Sequence, residues 1–205
     1  MIVSDQELAD ALKIRGVPAR YRGCRLDNFN AYTDDLVQKL DRVKRIAGDR
    51  SPRGVFLFGP PGTGKTHLAV GLMAAFISRG LNGEFASAMA YSLKAQRAYG
   101  DPTAIVDDLL YEAHFVVLDD IGAERNSDTA RTSLLHLVDE LYTKKRRLIA
   151  TSNLRPVNLE KFEPRVMSRI AEMCVLIELK ADDYRLRLAA ERQAMEKQSG
   201  KQAVN

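Results

Sequence analysis

The sequence predicts an α/β fold: an open parallel five-stranded sheet flanked by helices, with little or no C-terminal lid domain. Three observations carry this. Short apolar runs alternate with helix-patterned segments along the chain, which is the pattern of a parallel sheet. One run, residues 54–58 (GVFLF), leads into GPPGTGKT at 59–66, and a helical pattern follows at once. Another, residues 114–118 (HFVVL), ends in two carboxylates, Asp119 and Asp120.

The elements follow in order. Residues 4–14 read as a short helix, with Ser4 as N-cap and Glu7 completing a capping box. Gly16 and Pro18 end it. The stretch RYRGCRLDNFNAYT is turn-rich and keeps Leu26 and Phe29 as apolar anchors. Residues 34–47 place Leu36, Val37, Leu40, Val43 and Ile46 at helical spacing, an amphipathic helix. GDRSPRG then loops into the first strand. HLAVGLMAAFISRG continues as helix after the glycine loop, with Gly80 as its stop. GEFASAMA reads as the second strand and YSLKAQRAY as a helix, and a further helix is expected over 102–112. HFVVL is the third strand. Residues 128–145 form a helix on Leu134, Leu135, Leu137, Val138 and Leu141. Residues 147–151 (RLIAT) are the next strand. Residues 164–172 form a short helix with proline at its first position. CVLIEL at 174–179 is the last strand, and Asp182 is expected to cap a final helix running into the polar tail SGKQAVN.

Composition bounds the function. A chain of 205 residues that is 45% hydrophobic and 28% charged can bury one domain core. A net charge of +4 permits nucleic-acid contact without arguing for it. Cys24 and Cys174 make no motif, so neither a disulfide framework nor a zinc site is expected, and the two thiols suit a reducing, cytoplasmic setting. His67, His114 and His136 are scattered. The N-terminus has no signal-peptide pattern, and no stretch is long and apolar enough to span a membrane.

The chemistry centres on residues 59–66. They fit G-x-x-x-x-G-K-[ST], between a strand and a helix as a phosphate-binding loop requires. Glycines let backbone N–H groups close around a phosphate, and the helix start adds its positive end. The expected ATP contacts are Gly59, Pro60, Pro61, Gly62, Thr63, Gly64, Lys65 and Thr66, with His67 directly after them. Lys65 reaches the β- and γ-phosphates, and the Thr66 hydroxyl serves Mg²⁺. Asp119 stands where a Walker B aspartate holds Mg²⁺, and Asp120 is the candidate base for an attacking water. Asn153 ends a strand and is placed to bond the γ-phosphate or the water, although Asn is also a common turn former. Arg165 and Arg169 share one helix face. Arg169 reads either as an arginine finger for a neighbouring subunit or as a surface residue paired with Glu172. Arg185 and Arg187 open the last helix, and one of them is a candidate phosphate contact within the subunit, or both are exposed basic side chains.

Five stretches, RYRGCRLDNF, GPPGTGKTHLA, VVLDDIGAER, IATSN and RVMSRI, together resemble the DnaC/DnaI-type helicase loaders and the similar IstB transposition ATPases, within the AAA+ class. The resemblance covers about residues 17–187. It implies a P-loop NTPase that hydrolyses ATP slowly with partner stimulation, and that loads or remodels a hexameric replicative helicase on single-stranded DNA. The alternative it implies is an IstB-like transposition helper that binds DNA and a transposase. On this resemblance Asn153 matches sensor 1, Arg169 the arginine finger through which copies self-associate, and Arg185 sensor 2. Asp120 stands where many of the class carry glutamate, which suits a slow switch. The implied organisation is a short N-terminal helix in 1–15, an AAA+ ATPase domain over 16–190 and a polar tail over 191–205. The family's separate N-terminal partner-binding domain is expected to be absent, or replaced in a reduced form by the helix at 4–14.

For DNA, Tyr91, Lys94, Arg97 and Tyr99 combine cations with aromatics, a set able to hold phosphates and stack bases. An ordinary surface helix fits the same residues. The run Lys144-Lys145-Arg146-Arg147 lies at a helix C-terminus, where positive charge is favoured in any case.

Overall fold

The computed structural model describes residues 4–49, 53–97, 106, 108–122 and 128–202. Its elements are α1 (Asp5–Ile14), α2 (Asp34–Gly48), β1 (Gly54–Phe58), α3 (Lys65–Ile77), β2 (Gly83–Ser87), α4 (Ala88–Arg97), β3 (Phe115–Ile121), α5 (Asp128–Thr143), β4 (Arg147–Ser152), α6 (Pro156–Phe162), α7 (Pro164–Met173), β5 (Cys174–Glu178) and α8 (Tyr184–Gln202). The five strands form one parallel sheet in the order β2-β3-β4-β1-β5.

The period of two along each strand divides the core into two layers. Val55, Leu57, Val117 and Ile149 pack on one face with α1, α2 and α3. Phe56, Val116, Leu118, Leu148 and Ala150 pack on the other, with α5 and α7. All of these strand residues are fully buried. The chain leaving α1 covers the outer edge of β2, where Phe85 donates its amide to Arg15 O at 3.0 Å. Among the described residues no helix is long and apolar enough to cross a membrane.

The strand-and-helix order matches the sequence expectation, with local differences. The capping box at Ser4 and Glu7 is present. β2 stops at Ser87, because the Ser87 hydroxyl accepts the Ala90 amide at 3.2 Å and starts α4 there. β3 runs past residue 118 and carries Asp119 and Asp120 within it. A register shift between Leu118 and Ile121 lets Ile121 still pair with Ser152. The short helix α6 was not expected. It has proline in its first turn and buries Leu159. α8 is capped by Asp183 rather than Asp182: the Asp183 carboxylate accepts the Arg185 amide at 2.9 Å. Helix continues to Gln202, through most of the expected tail. Residues 102–105 and 107 of the helix expected over 102–112, together with Tyr99 and residues 123–125 of the GAER stretch, lie outside the described residues.

Candidate active site

β1 delivers the glycine loop at the carboxyl end of the sheet, where open α/β sheets bind their ligands. Gly64 has φ +90, and an added Cβ would lie 2.6 Å from the Phe29 ring, so glycine is required on both counts. The first bond of α3 runs from Leu68 N to Gly64 O at 3.0 Å. The amides of Lys65, Thr66 and His67 precede that ladder, at the positive end of the helix. Thr63 is buried and bonds inward, from its hydroxyl to Pro60 O at 3.0 Å.

Lys65 is 7% exposed, and its Nζ donates to Gly59 O at 2.8 Å and Pro60 O at 2.6 Å. Burial pushes its pKa down to about 8, against the raising influence of Asp120 and Asp119. The Thr66 hydroxyl donates to Asp119 Oδ1 at 2.9 Å. Thr151 donates to the same oxygen at 2.7 Å. Burial raises the Asp119 pKa, while the bonds from Thr151 and Thr66 lower it.

Asp120 has φ +61, a left-handed conformation that Asp tolerates better than most side chains. Its amide donates to Thr151 Oγ1 at 2.8 Å, and its Oδ1 accepts from Asn153 Nδ2 at 2.7 Å. β4 is tied to β3 once more by Ser152, whose hydroxyl donates to Ile121 O at 2.6 Å. Strand pairing therefore brings Thr66, Asp119, Asp120, Thr151 and Asn153 together.

These groups line a cleft of about 400 Å³ whose walls include Pro61, Gly62, Gly64, Lys65, Thr66, His67, Asp119, Asp120, Asn153 and Arg185. Arg20, Tyr21, Cys24, Tyr184 and Leu188 complete it. Arg20, Tyr21 and Cys24 fall in the RYRGCRLDNF stretch but were given no role at the site, and no motif named Tyr184 or Leu188. Thr151 was visible only as part of the TSN tip, and its bridging role depends on the β3–β4 register. Of the two arginines opening α8, Arg185 lines the cleft. Arg187 instead pairs with Glu191 at 2.9 Å and lies 4.6 Å over the Tyr32 ring.

The structure corrects the expectations of an Arg169–Glu172 pair and of a stacking Tyr91, and it fixes where the His67 ring lies. The His67 ring, on the cleft wall, is engaged by the segment before α2: Nε2 is 3.0 Å from Arg25 O and 2.9 Å from Asn28 Oδ1. What His67 offers an anion is its backbone amide. Arg169 does not line its own subunit's cleft, nor does it pair with Glu172. It forms an ion pair with Asp139 and stacks over Tyr142, whose hydroxyl donates to Glu172 at 2.9 Å. Tyr91 is 3% exposed and packs in the core beside Ala88 and Leu110, so its ring is not available to stack on a base. Lys94 and Arg97 remain exposed on α4.

The donor set fits Mg²⁺. A carboxylate and a hydroxyl within hydrogen-bond distance are hard oxygen donors, and this ion takes only one or two protein ligands beside substrate phosphates.

The chain matches the model of the IstB-like ATP binding protein family over residues 25–192. It is 28% identical over 167 residues to the chromosomal replication initiator protein DnaA of Zymomonas mobilis, covering 79% of this chain and 34% of that protein. The chain thus spans about a third of the length of the curated relatives it matches. Among solved structures, the DnaC helicase loader superposes with a TM-score of 0.70 at 26% identity, covering 80% of this chain and 100% of that one. DnaA bound to AMPPCP and single-stranded DNA gives a TM-score of 0.68 at 21% identity, covering 82% and 52%, a likeness of fold. With the glycine loop, paired carboxylates and strand-end Asn153 in one cleft, and a family match over most of its length, the chain belongs to the IstB-like ATP binding proteins.

Proposed function

We propose that this protein is an ATP-driven switch of DNA replication that loads or remodels a hexameric replicative helicase on single-stranded DNA. The observation that carries the reading is the DnaC helicase loader likeness, which spans the whole of that chain at 26% identity, on a chain whose ATP cleft has its full set of polar groups.

In this reading the Lys65 ammonium leaves its loop carbonyls for the β- and γ-phosphates, and the amides at the start of α3 close around them. Arg185 adds charge from the cleft wall. Thr66 and Asp119 would hold Mg²⁺, which supplies charge neutralisation on the phosphates when bound. Asp120 accepts a proton from the attacking water, and Asn153 fixes the carboxylate that does so. Arg169 of one copy serves the ATP of the next, so full activity needs self-association. The short Asp120 side chain suits slow hydrolysis stimulated by partners. Lys94 and Arg97 contact DNA phosphates. The alternative implied by the resemblance to the IstB proteins is a transposition helper that binds DNA and a transposase.

The test is capture of the purified protein, with ATP and Mg²⁺, on a replicative helicase and on a transposase in parallel. ATP-dependent capture by the helicase, lost in Lys65→Ala, is the expected outcome. Capture by the transposase alone would replace this reading with the transposition one. Single-stranded DNA should bind more tightly with ATP and weaken steeply with salt, and Lys94→Ala with Arg97→Ala should reduce it. Unchanged binding in that double variant would remove α4 from the DNA contact.

A further inference from the structure

We propose that Asp183 limits how tightly the cleft holds a nucleotide's phosphates and couples their arrival to the start of α8. The inference rests on the ATP-site reading above.

Asp183 is seated on the phosphate loop. A Cβ built on Gly62 would lie 1.9 Å from Asp183 Oδ1 and 2.1 Å from its carboxyl carbon. A carboxylate thus packs directly against the backbone of a loop whose purpose is to surround an anion. The contact is held on both sides. Tyr184 N donates to Gly62 O at 3.2 Å, and Asp183 caps α8 through the Arg185 amide. The same junction is anchored from the chain before α2. The Tyr32 hydroxyl donates to Asp182 O at 2.9 Å, and Asn30 Nδ2 donates to the Tyr184 hydroxyl at 3.2 Å.

Opposite charges therefore meet the phosphates from one helix start. Arg185 attracts them and Asp183, two residues earlier, repels them. A phosphate in the loop raises the electrostatic cost of keeping the Asp183 carboxylate on Gly62. The carboxylate can withdraw only by giving up the cap of α8, at the junction that the Tyr184–Gly62 bond also holds. Occupancy of the loop is thereby felt at α8.

The experiment titrates AMPPCP with Mg²⁺ into the full chain and into Asp183→Asn, Asp182→Asn and Lys65→Ala. Asn caps helices as well as Asp, so the fold should survive, and Asp183→Ser serves as a second capping variant. Asp183→Asn should bind about tenfold tighter, within the range one unit charge exerts over a few ångströms in a partly solvated site. Asp182 is exposed, and its neutralisation changes net charge equally without touching Gly62, so Asp182→Asn should match wild type. In hydrogen exchange, AMPPCP should speed exchange of the Tyr184 amide in the wild type but not in Asp183→Asn. Equal affinities of Asp183→Asn, Asp183→Ser and wild type would overturn the affinity role. Equal tightening in Asp182→Asn would reduce it to bulk charge. Unchanged Tyr184 exchange in the wild type would overturn the coupling. Wild-type affinity in Lys65→Ala would instead sink the ATP site itself.

Discussion

The Thr151 hydroxyl donates to Asp119 Oδ1 at 2.7 Å and accepts the Asp120 amide at 2.8 Å, so one buried side chain holds the carboxylate of the first aspartate and the backbone of the second. Thr151→Val keeps the shape but leaves that amide without its acceptor, which costs about 1–3 kcal/mol. Steady-state kinetics should show kcat down about tenfold with KM for ATP little changed, since misplacing a reacting group is costly. Thr151→Ser keeps the hydroxyl and should recover most of the rate. Equal rates for all three proteins would deny the bridge a role in turnover.

Asp120→Asn should bind ATP and lose hydrolysis by about 10²-fold or more, because an amide cannot take the water's proton. Asp120→Glu should also be slower than wild type. Its backbone would have to keep φ +61, and its longer chain would carry the carboxylate past Asn153. A faster Asp120→Glu enzyme would show that side-chain length alone limits the rate. Asp119→Asn should weaken Mg²⁺-dependent binding instead, read by titration with and without the ion.

The depressed pKa of Lys65, about 8, predicts a pH dependence of nucleotide affinity. Only the ammonium attracts phosphate, so affinity should hold below pH 8 and fall toward tenfold per unit above it. Bound phosphates favour the charged form, so binding should take up protons in this range. For folding the sign is opposite. The unfolded lysine holds its proton to about pH 10.4, so this group makes the free protein more stable as pH rises from 8 toward that value. AMPPCP titrations at pH 7 and 9, with Lys65→Ala as the flat reference, check the first claim. Equal wild-type affinities at the two pH values would contradict it.

Arg169 is predicted to act in trans. Arg169→Ala should bind ATP normally and hydrolyse it poorly, since such an arginine is worth roughly 10³ in rate. Mixing it with Lys65→Ala should restore part of the activity, because one brings an intact cleft and the other an intact finger. Reaching a neighbour also requires Arg169 to leave Asp139, so Asp139→Ala should raise the rate in assembled protein. ATPase activity against mixing ratio, with assembly followed by light scattering, is the measurement. Strictly additive activity in assembled mixtures would exclude the trans role.

The glycine loop, the strand-end carboxylate pair and the strand-helix alternation were legible in the residues themselves. Their physics is local. A glycine loop between strand and helix needs only neighbours in sequence, and so does a carboxylate pair at the end of an apolar strand. Arg185 could be separated from Arg187 only by position. Both open α8, but one lines the cleft and the other turns to Tyr32 and Glu191.

What folding alone decided were relations across the sheet and between distant segments. Tyr91 looks like a surface aromatic in sequence, yet packing against the second core layer buries it. Thr151 becomes a bridge because β4 lies beside β3 with a bulge that turns Asp120 toward it. Asp183 meets Gly62, 121 positions earlier, because β5 pairs with β1 and returns the chain to the phosphate loop. The sequence by itself determined the class of chemistry, since loop and strand-end motifs are short-range. The tertiary structure decided which polar groups hold that chemistry in place, since their partners are set by strand register and by where the last helix begins.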